Sequence, residues 1–298
     1  PSLGKAYGGG GILDLFFTQF AQPFVLSVAV FMEFPLVSSL AMSFTDFRNT
    51  DIPNPLAVTF VGLDQFVALF QNRQFVRSLV NTLYFVGVGI PLTMIVALAL
   101  AIALNNGITR FRAVFRVGFY APVVTSIVAV AVVWRFILQP DGLLNTVLAG
   151  IGINGPDWLG DPAWSMPSMI LLAVWRNMGT LMIIFLAGLQ GISTEVLEAA
   201  EVDGAGAWQR FFRVTLPLLR PTLLLGAVLL SVGFLQFFEE PFVMTKGGPL
   251  DSTLSISYFT FNQFGFGNYG TASAASYVLF VAIALLSLVQ FRAFRTKE

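Results

Sequence analysis

Six stretches of mostly apolar residues divide this chain, and they constrain its fold more than any other feature of the sequence. An α-helix needs about 20 such residues to cross the hydrocarbon core of a bilayer. Charged residues make up 11% of the 298 residues, whereas a typical soluble domain has about 25%. The sequence therefore predicts an all-α polytopic membrane protein, with spans at residues 20–44, 80–104, 115–138, 167–190, 221–244 and 271–291.

The distribution of Lys and Arg predicts the orientation of these spans. With six spans, both termini lie on the same side as the connections after the second and fourth spans, and these segments together carry ten Lys and Arg residues. The connections on the other side carry four. Because cytoplasmic loops carry the excess of basic residues, we expect a cytoplasmic N-terminal segment 1–19, a transmembrane domain 20–291 and a cytoplasmic tail 292–298.

The composition also limits the chemistry that the chain can perform. Its 16 basic and 16 acidic side chains balance, so its net charge implies no nucleic-acid partner. It has no Cys and no His, which removes the commonest general base and metal ligand. A membrane-embedded enzyme is therefore a weak alternative. No Gly-x-x-x-x-Gly-Lys-Ser/Thr phosphate loop is present either, and we expect no catalytic residue, metal or cofactor in this chain.

The cytoplasmic segment 193–221 is strongly charged yet retains helical order. Ser193 can cap a first helix, and Gly204 supplies the left-handed backbone that follows a helix end. A second short helix is expected to start at Ala207 and to end near Thr215, because Pro217 disfavours helical geometry in the residue before it.

Helices as short as these are marginal in water and need something to pack against. One interpretation is that they lie on the lipid headgroups as an amphipathic connector. However, Glu195, Glu198 and Glu201 follow one another at intervals of three residues and share a face. An anionic cytoplasmic leaflet would repel that face. A protein partner is therefore the better interpretation.

The same segment resembles the EAA loop of the permease subunits of ABC importers. The residues that carry the resemblance are Glu198, Ala199, Ala200, Asp203, Gly204, Ala205, Phe212, Leu216, Pro217 and Pro221. Further motifs resemble the carbohydrate-uptake branch, which includes maltose-type and glycerol-3-phosphate-type permeases. These motifs occur at residues 60–66, 81–82, 120–122, 142–145, 185–190 and 245–249.

The resemblance implies the ABC type I importer permease fold in a bacterial or archaeal plasma membrane, with residues 20–291 as the permease domain. In that family, the loop docks as a coupling helix into a cytoplasmic ATPase. The implied partners are two ATPase subunits that hold ATP and Mg, an extracytoplasmic solute-binding protein, and a second permease that we expect to be a different chain. The implied substrate is a sugar, with glycerol-3-phosphate or another polyol or phosphodiester as the alternative.

Charged side chains inside the spans mark a candidate substrate path, because a charge at membrane depth usually faces a cavity or a partner. Arg176 has Asn177 as its neighbour, and Gly179 leaves room beside them. Arg135, Gln236, Glu239 and Glu240 are further candidates, and the last three are expected to share one helical face. Glu33 is a weaker one. The alternative is that these arginines and glutamates form ion pairs that hold the spans together, or that the Arg135 side chain extends to the membrane–water interface.

This mixture of amide, carboxylate and guanidinium groups suits the hydroxyl groups of a neutral saccharide. A phosphate ester would favour more positive charge than two arginines opposed by two glutamates. An ion-coupled secondary transporter would be expected to show carboxylates at mid-membrane and inverted repeats. Glu239 and Glu240 are too close to the outer end of the fifth span for that alternative.

All three outward loops are long. The loop at 45–78 contains an apolar pattern that suits a short surface helix (Leu63, Phe66, Val67, Phe70). The loop at 245–270 is dense in Phe and Tyr. It is either part of the aromatic belt at the membrane interface or a docking surface for an external partner.

Overall fold

A computed structural model describes residues 22–54, 58–106 and 112–294 of the chain. The predicted N-terminal segment 1–19 and residues 295–298 of the predicted tail lie outside these ranges. Within them the structure is helical, with a single isolated β-bridge between Thr45 and Phe60.

The helices of the described ranges are numbered α1 to α14 here. Their bounds are α1 Gln22–Met42, α2 Asp64–Gln71, α3 Arg73–Asn106, α4 Arg112–Val124, α5 Ile127–Ile137, α6 Leu143–Gly150, α7 Pro162–Gln190, α8 Thr194–Val202, α9 Ala207–Arg210, α10 Leu216–Leu218, α11 Arg220–Leu235, α12 Glu239–Met244, α13 Ile256–Gly265 and α14 Tyr269–Phe294. Two π-helical turns interrupt this pattern, at Ala29–Glu33 within α1 and at Phe211–Thr215 between α9 and α10.

Five helical segments are long and apolar enough to cross a membrane: α1, α3, α7, α14, and α11 together with α12. The third predicted span, 115–138, is instead the pair α4 and α5, which is bent by 99°. Near the bend, the Thr125 hydroxyl donates to the backbone carbonyl of Pro122 at 2.7 Å, and a side chain that bonds the local backbone in this way competes with helix continuation. If the bent pair counts as one span, the total is the predicted six.

The core lies where α3, α7 and α11 pack together, and α4 runs along α7. Two glycines allow these helices to approach closely. A Cβ atom on Gly89 of α3 would lie 2.6 Å from the ring of Phe234 on α11. A Cβ on Gly179 of α7 would collide with the backbone carbonyl oxygen of Phe119 on α4. Small residues at such positions are typical of helix contacts in membranes.

The first span is peripheral within this chain. Helix α1 packs against α14 and has no buried residue. Its outer end is fixed by the following loop, where the Asn49 amide donates to the Gly267 carbonyl at 2.8 Å and the Gly270 amide donates to the Phe47 carbonyl at 2.9 Å. The short surface helix predicted in the same loop is confirmed as α2, which buries Leu69.

Candidate functional site

The cytoplasmic segment begins with the helix that its sequence predicts. The Ser193 hydroxyl accepts a hydrogen bond from the Glu195 amide at 3.2 Å and so caps α8. The helix ends at Val202, Asp203 is its C-cap, and Gly204 follows with a φ of 78°. Both the cap and the left-handed residue after the helix are therefore confirmed.

The second half of the segment departs from its prediction. We expected a helix that ends near Thr215, but the helical path continues through the π turn Phe211–Thr215 to Leu218. A π turn bonds to the carbonyl five residues back instead of four. We attribute the continuation to this wider turn, which passes Pro217 where a regular helix would lose a hydrogen bond. The next span then begins at Arg220 with Pro221 in its first turn.

The cytoplasmic segment presents both charge and apolar surface. Helices α8 and α9 have no buried residue. A salt bridge from Arg210 to Glu201 joins them. Trp208 is 75% exposed and stacks on Phe212, with ring centroids 5.8 Å apart. Exposed Glu198 and the exposed rings of Trp208 and Phe212 belong to a surface that the described residues leave uncovered.

A second candidate site lies inside the membrane domain. A cavity of about 100 Å³ is enclosed by α3, α7, α11 and α12. Four of the six predicted path residues line it: Arg176, Asn177, Glu239 and Glu240. The structure therefore brings together side chains from the fourth and fifth spans that are more than 60 residues apart in the sequence.

Two atoms of this cavity lack hydrogen-bond partners. Glu240 is only 6% exposed, and its Oε2 atom is buried without a partner. The Nε atom of Arg176 is also buried without one. Within the described ranges, neither Glu239 nor Glu240 forms a salt bridge with Arg176. Since buried polar groups are nearly always satisfied, this donor and this acceptor are positioned for water or for a ligand.

The expected helical face through Gln236, Glu239 and Glu240 does not form. Helix α11 ends at Leu235, and α12 begins only at Glu239. The cause is Pro241, whose ring would clash with the carbonyl of the residue four positions earlier in a continuous helix. Gln236 instead lines a separate groove of about 390 Å³ with Ser257, Thr260 and Ser276.

Arg135 also lies apart from the cavity. It is exposed in the last turn of α5 and is not among the residues that line the cavity.

The sequence reasoning missed a group of aromatic side chains that forms one wall of the cavity, called the aromatic wall here. Phe85 of α3 stacks on Phe237 with centroids 3.9 Å apart, and it lies 5.0 Å from the ring of Phe234. No spacing in the sequence connects Phe85 to residues about 150 positions later.

Comparison with known proteins defines the class to which this arrangement belongs. The family model for the binding-protein-dependent transport system inner membrane component matches residues 65–296. The lactose transport system permease protein LacF of Rhizobium radiobacter is 35% identical, and the alignment covers 94% of each chain. The trehalose/maltose transport system permease protein MalF of Thermococcus litoralis is 31% identical and covers 93% of this chain and 92% of its own.

Two solved structures point to the same class of protein as the sequence relatives do. A chain from the crystal structure of a bacterial ABC transporter that imports the acidic polysaccharide alginate superimposes with a TM-score of 0.78 and 27% identity. The match covers 96% of this chain and 98% of that chain. A second structure, of an alginate transporter in complex with a periplasmic protein bound to an alginate pentasaccharide, gives the same TM-score at 26% identity, with 98% and 97% coverage.

The chain therefore belongs to the family of binding-protein-dependent transport system inner membrane components. It is a transport subunit of an ABC importer and not an enzyme, as the sequence predicted. It is a multi-pass protein of the plasma membrane, and its partners are a second permease, ATPase subunits and a solute-binding protein.

Proposed function

We propose that this permease subunit carries a neutral oligosaccharide or related sugar across the membrane, and that the cavity between α7 and α12 lies on its path. Several relatives support the substrate class, because they are permeases of transport systems for lactose, arabinooligosaccharides, and trehalose or maltose. The second permease is proposed to be a different chain, as the resemblance to the carbohydrate branch implies.

The observation that carries the proposal is that an unpaired donor and an unpaired acceptor belong to two residues that line the same cavity. A sugar hydroxyl can donate one hydrogen bond and accept another. Sugar hydroxyls in the cavity could therefore supply partners for Glu240 Oε2 and for Arg176 Nε, which are both buried and lack one. A volume of about 100 Å³ corresponds to about three water molecules. In this conformation the cavity would admit the edge of a sugar ring, and a wider conformation would be needed for the whole ring.

The charge of the cavity also favours a neutral sugar. With Arg135 outside, the lining contains one arginine and two glutamates, so it has no net positive charge. Glycerol-3-phosphate or another phosphate ester would need such charge to offset its loss of hydration. The aromatic rings of Phe85, Phe234 and Phe237 give the cavity an apolar wall that suits the C–H face of a sugar ring.

The cytoplasmic segment is proposed to be the coupling site for the ATPase. The residues assigned to it are Glu198, Ala199, Ala200, Asp203, Gly204, Ala205, Phe212, Leu216 and Pro217. Support comes from the charges and aromatic rings of α8, α9 and the π turn, which are exposed in the part of the chain that the structure describes. Closure of the ATPase dimer on ATP would move this segment, and the spans would then switch access from one side to the other.

The test is uptake by the assembled transporter in proteoliposomes, with its solute-binding protein and internal ATP. Radiolabelled lactose, maltose, trehalose, arabinooligosaccharide and glycerol-3-phosphate are compared as substrates. The proposal expects ATP-dependent uptake of at least one neutral saccharide and none of glycerol-3-phosphate. Exclusive uptake of glycerol-3-phosphate, or uptake driven by a pH gradient without ATP, would overturn it.

A further inference from the structure

The outward loop between α12 and α13 has an unusual backbone. Three of its residues that carry a Cβ atom have positive φ angles: Lys246 at 54°, Leu250 at 51° and Asp251 at 58°. Side chains other than glycine rarely adopt this region, and asparagine and aspartate tolerate it better than leucine does. Such strain persists only where the surrounding structure fixes it, and it often accompanies function.

Hydrogen bonds from two other spans fix this loop. The Asn81 side chain on α3 donates to the carbonyls of Asp251 at 2.7 Å and Leu254 at 3.0 Å. The hydroxyls of Ser165 on α7 and Ser252 lie 2.8 Å apart and share a hydrogen bond. The loop is therefore fastened to the outer ends of α3 and α7, and its conformation is set before any partner arrives.

Leu250 lies at the tip of this loop, which hydrogen bonds hold in place, and its side chain is 86% exposed. Leu254, four residues later, is 4% exposed and belongs to the core. A leucine in a left-handed conformation that remains in solvent gains nothing from packing within the described chain. Glycine or asparagine would fit the same backbone with less strain. A contact with another molecule would account for a leucine at this position.

We propose that Leu250 is a rigid docking knob that inserts into an apolar depression on the extracytoplasmic solute-binding protein. The basic residues of the other connections place this loop on the outward face, where the binding protein of a binding-protein-dependent importer must arrive. A preorganised loop loses little conformational freedom on binding, and a buried apolar anchor is typical of an interface hot spot. The proposal depends on family membership and not on which sugar is carried.

The docking site also connects to the cavity. The loop begins directly after α12, the helix that carries Glu239 and Glu240. Its hydrogen bonds to Asn81 tie it to α3, which contributes Phe85 to the cavity wall. A binding protein seated on Leu250 would therefore contact a loop that is joined to two of the helices that line the proposed path.

The experiment measures ATPase activity of the assembled transporter in nanodiscs as the sugar-loaded solute-binding protein is titrated. Leu250→Asn and Leu250→Gly both tolerate the left-handed backbone and remove the apolar knob. The matched control is Ile151→Asn, which replaces an exposed aliphatic side chain of another outward loop. We expect both Leu250 variants to raise the concentration for half-maximal stimulation at least fivefold, with basal activity and the control unchanged.

Two results would overturn the proposal. One is a half-maximal concentration within twofold of wild type for both Leu250 variants. The other is loss of the second permease from the purified Leu250 complexes, which would assign the knob to that subunit instead. Equal melting temperatures of the variants and the wild type confirm that the loop still folds. Because the readout is the binding-protein concentration for half-maximal stimulation, and not the uptake or choice of sugar, failure here leaves the proposed sugar path intact.

Discussion

The cytoplasmic segment and the intramembrane cavity are built in opposite ways. The segment 193–221 is continuous in sequence, and most of its side chains are exposed. The cavity takes its lining from residues between Phe85 and Glu240, on four helices, and its key carboxylate is buried. One site depends on local sequence and a missing partner, whereas the other depends on how distant spans pack. Substitutions in the two regions should therefore fail in different ways.

The largest expected effect comes from disturbing the packing behind the cavity. Gly179→Val should prevent proper folding, because a Cβ at this position collides with the backbone of α4. Overpacking of a close helix contact costs about 1–3 kcal/mol or more. The thermal melting temperature of the purified protein should fall sharply. Gly87→Val is the matched control, since a Cβ there meets nothing within 4 Å. Equal melting of the two variants would show that the approach of α4 to α7 is not tight.

The next largest effect is a loss of sugar uptake, without a loss of folding, in variants of the residues that line the cavity. Arg176→Ala or Glu240→Ala should lower ATP-dependent uptake at least tenfold while the affinity of the solute-binding protein for sugar stays the same. Loss of one such hydrogen-bonding group in a buried site costs about 1–3 kcal/mol, and about 1.4 kcal/mol is tenfold. Arg135→Ala is the control and should retain near wild-type uptake, because it is outside the cavity. Wild-type uptake in the cavity variants would make these residues structural.

On the cytoplasmic side, a charge reversal should act at the partner and leave the fold intact. Glu198→Lys changes an exposed side chain of α8, so the melting temperature should not change. Co-purification of the ATPase subunits with the tagged permease should fall about fivefold to tenfold, as is typical of a lost interface contact worth about 1 kcal/mol. Asp141→Lys makes the same reversal on an exposed outward loop and should leave attachment unchanged. Undiminished co-purification with Glu198→Lys would argue against a coupling role.

The smallest effect is expected for a variant that tests whether α8 must be ordered before it binds the ATPase. Ser193→Ala removes the cap of α8 and should cost about 1 kcal/mol of local stability. Faster amide hydrogen exchange is expected within Thr194–Val202, with a severalfold loss of sugar-stimulated ATPase activity and unchanged assembly. Ser193→Asp retains a capping oxygen and should restore the wild-type exchange rate. If exchange accelerates but activity does not fall, the helix orders on binding.

The same contrast explains what could be predicted from the sequence. Ser193 and Gly204 act on their own neighbours, so their roles were visible in the sequence. The fifth span was misjudged because Pro241 breaks the helix several residues before its own position, which moves Gln236 to a different face. The aromatic wall could not be found, because Phe85 meets Phe237 only through the packing of α3 on α11. Periodicity predicts which residues share a helix face, but not which faces meet.

The two close glycine contacts have a consequence for movement. The ring of Phe234 rests against Gly89, and the backbone of α4 rests against Gly179, so neighbouring helices have no clearance to slide past one another. Sub-ångström displacements at these points would drive atoms into collision. The two contacts therefore restrict sliding of α11 along α3 and of α4 along α7.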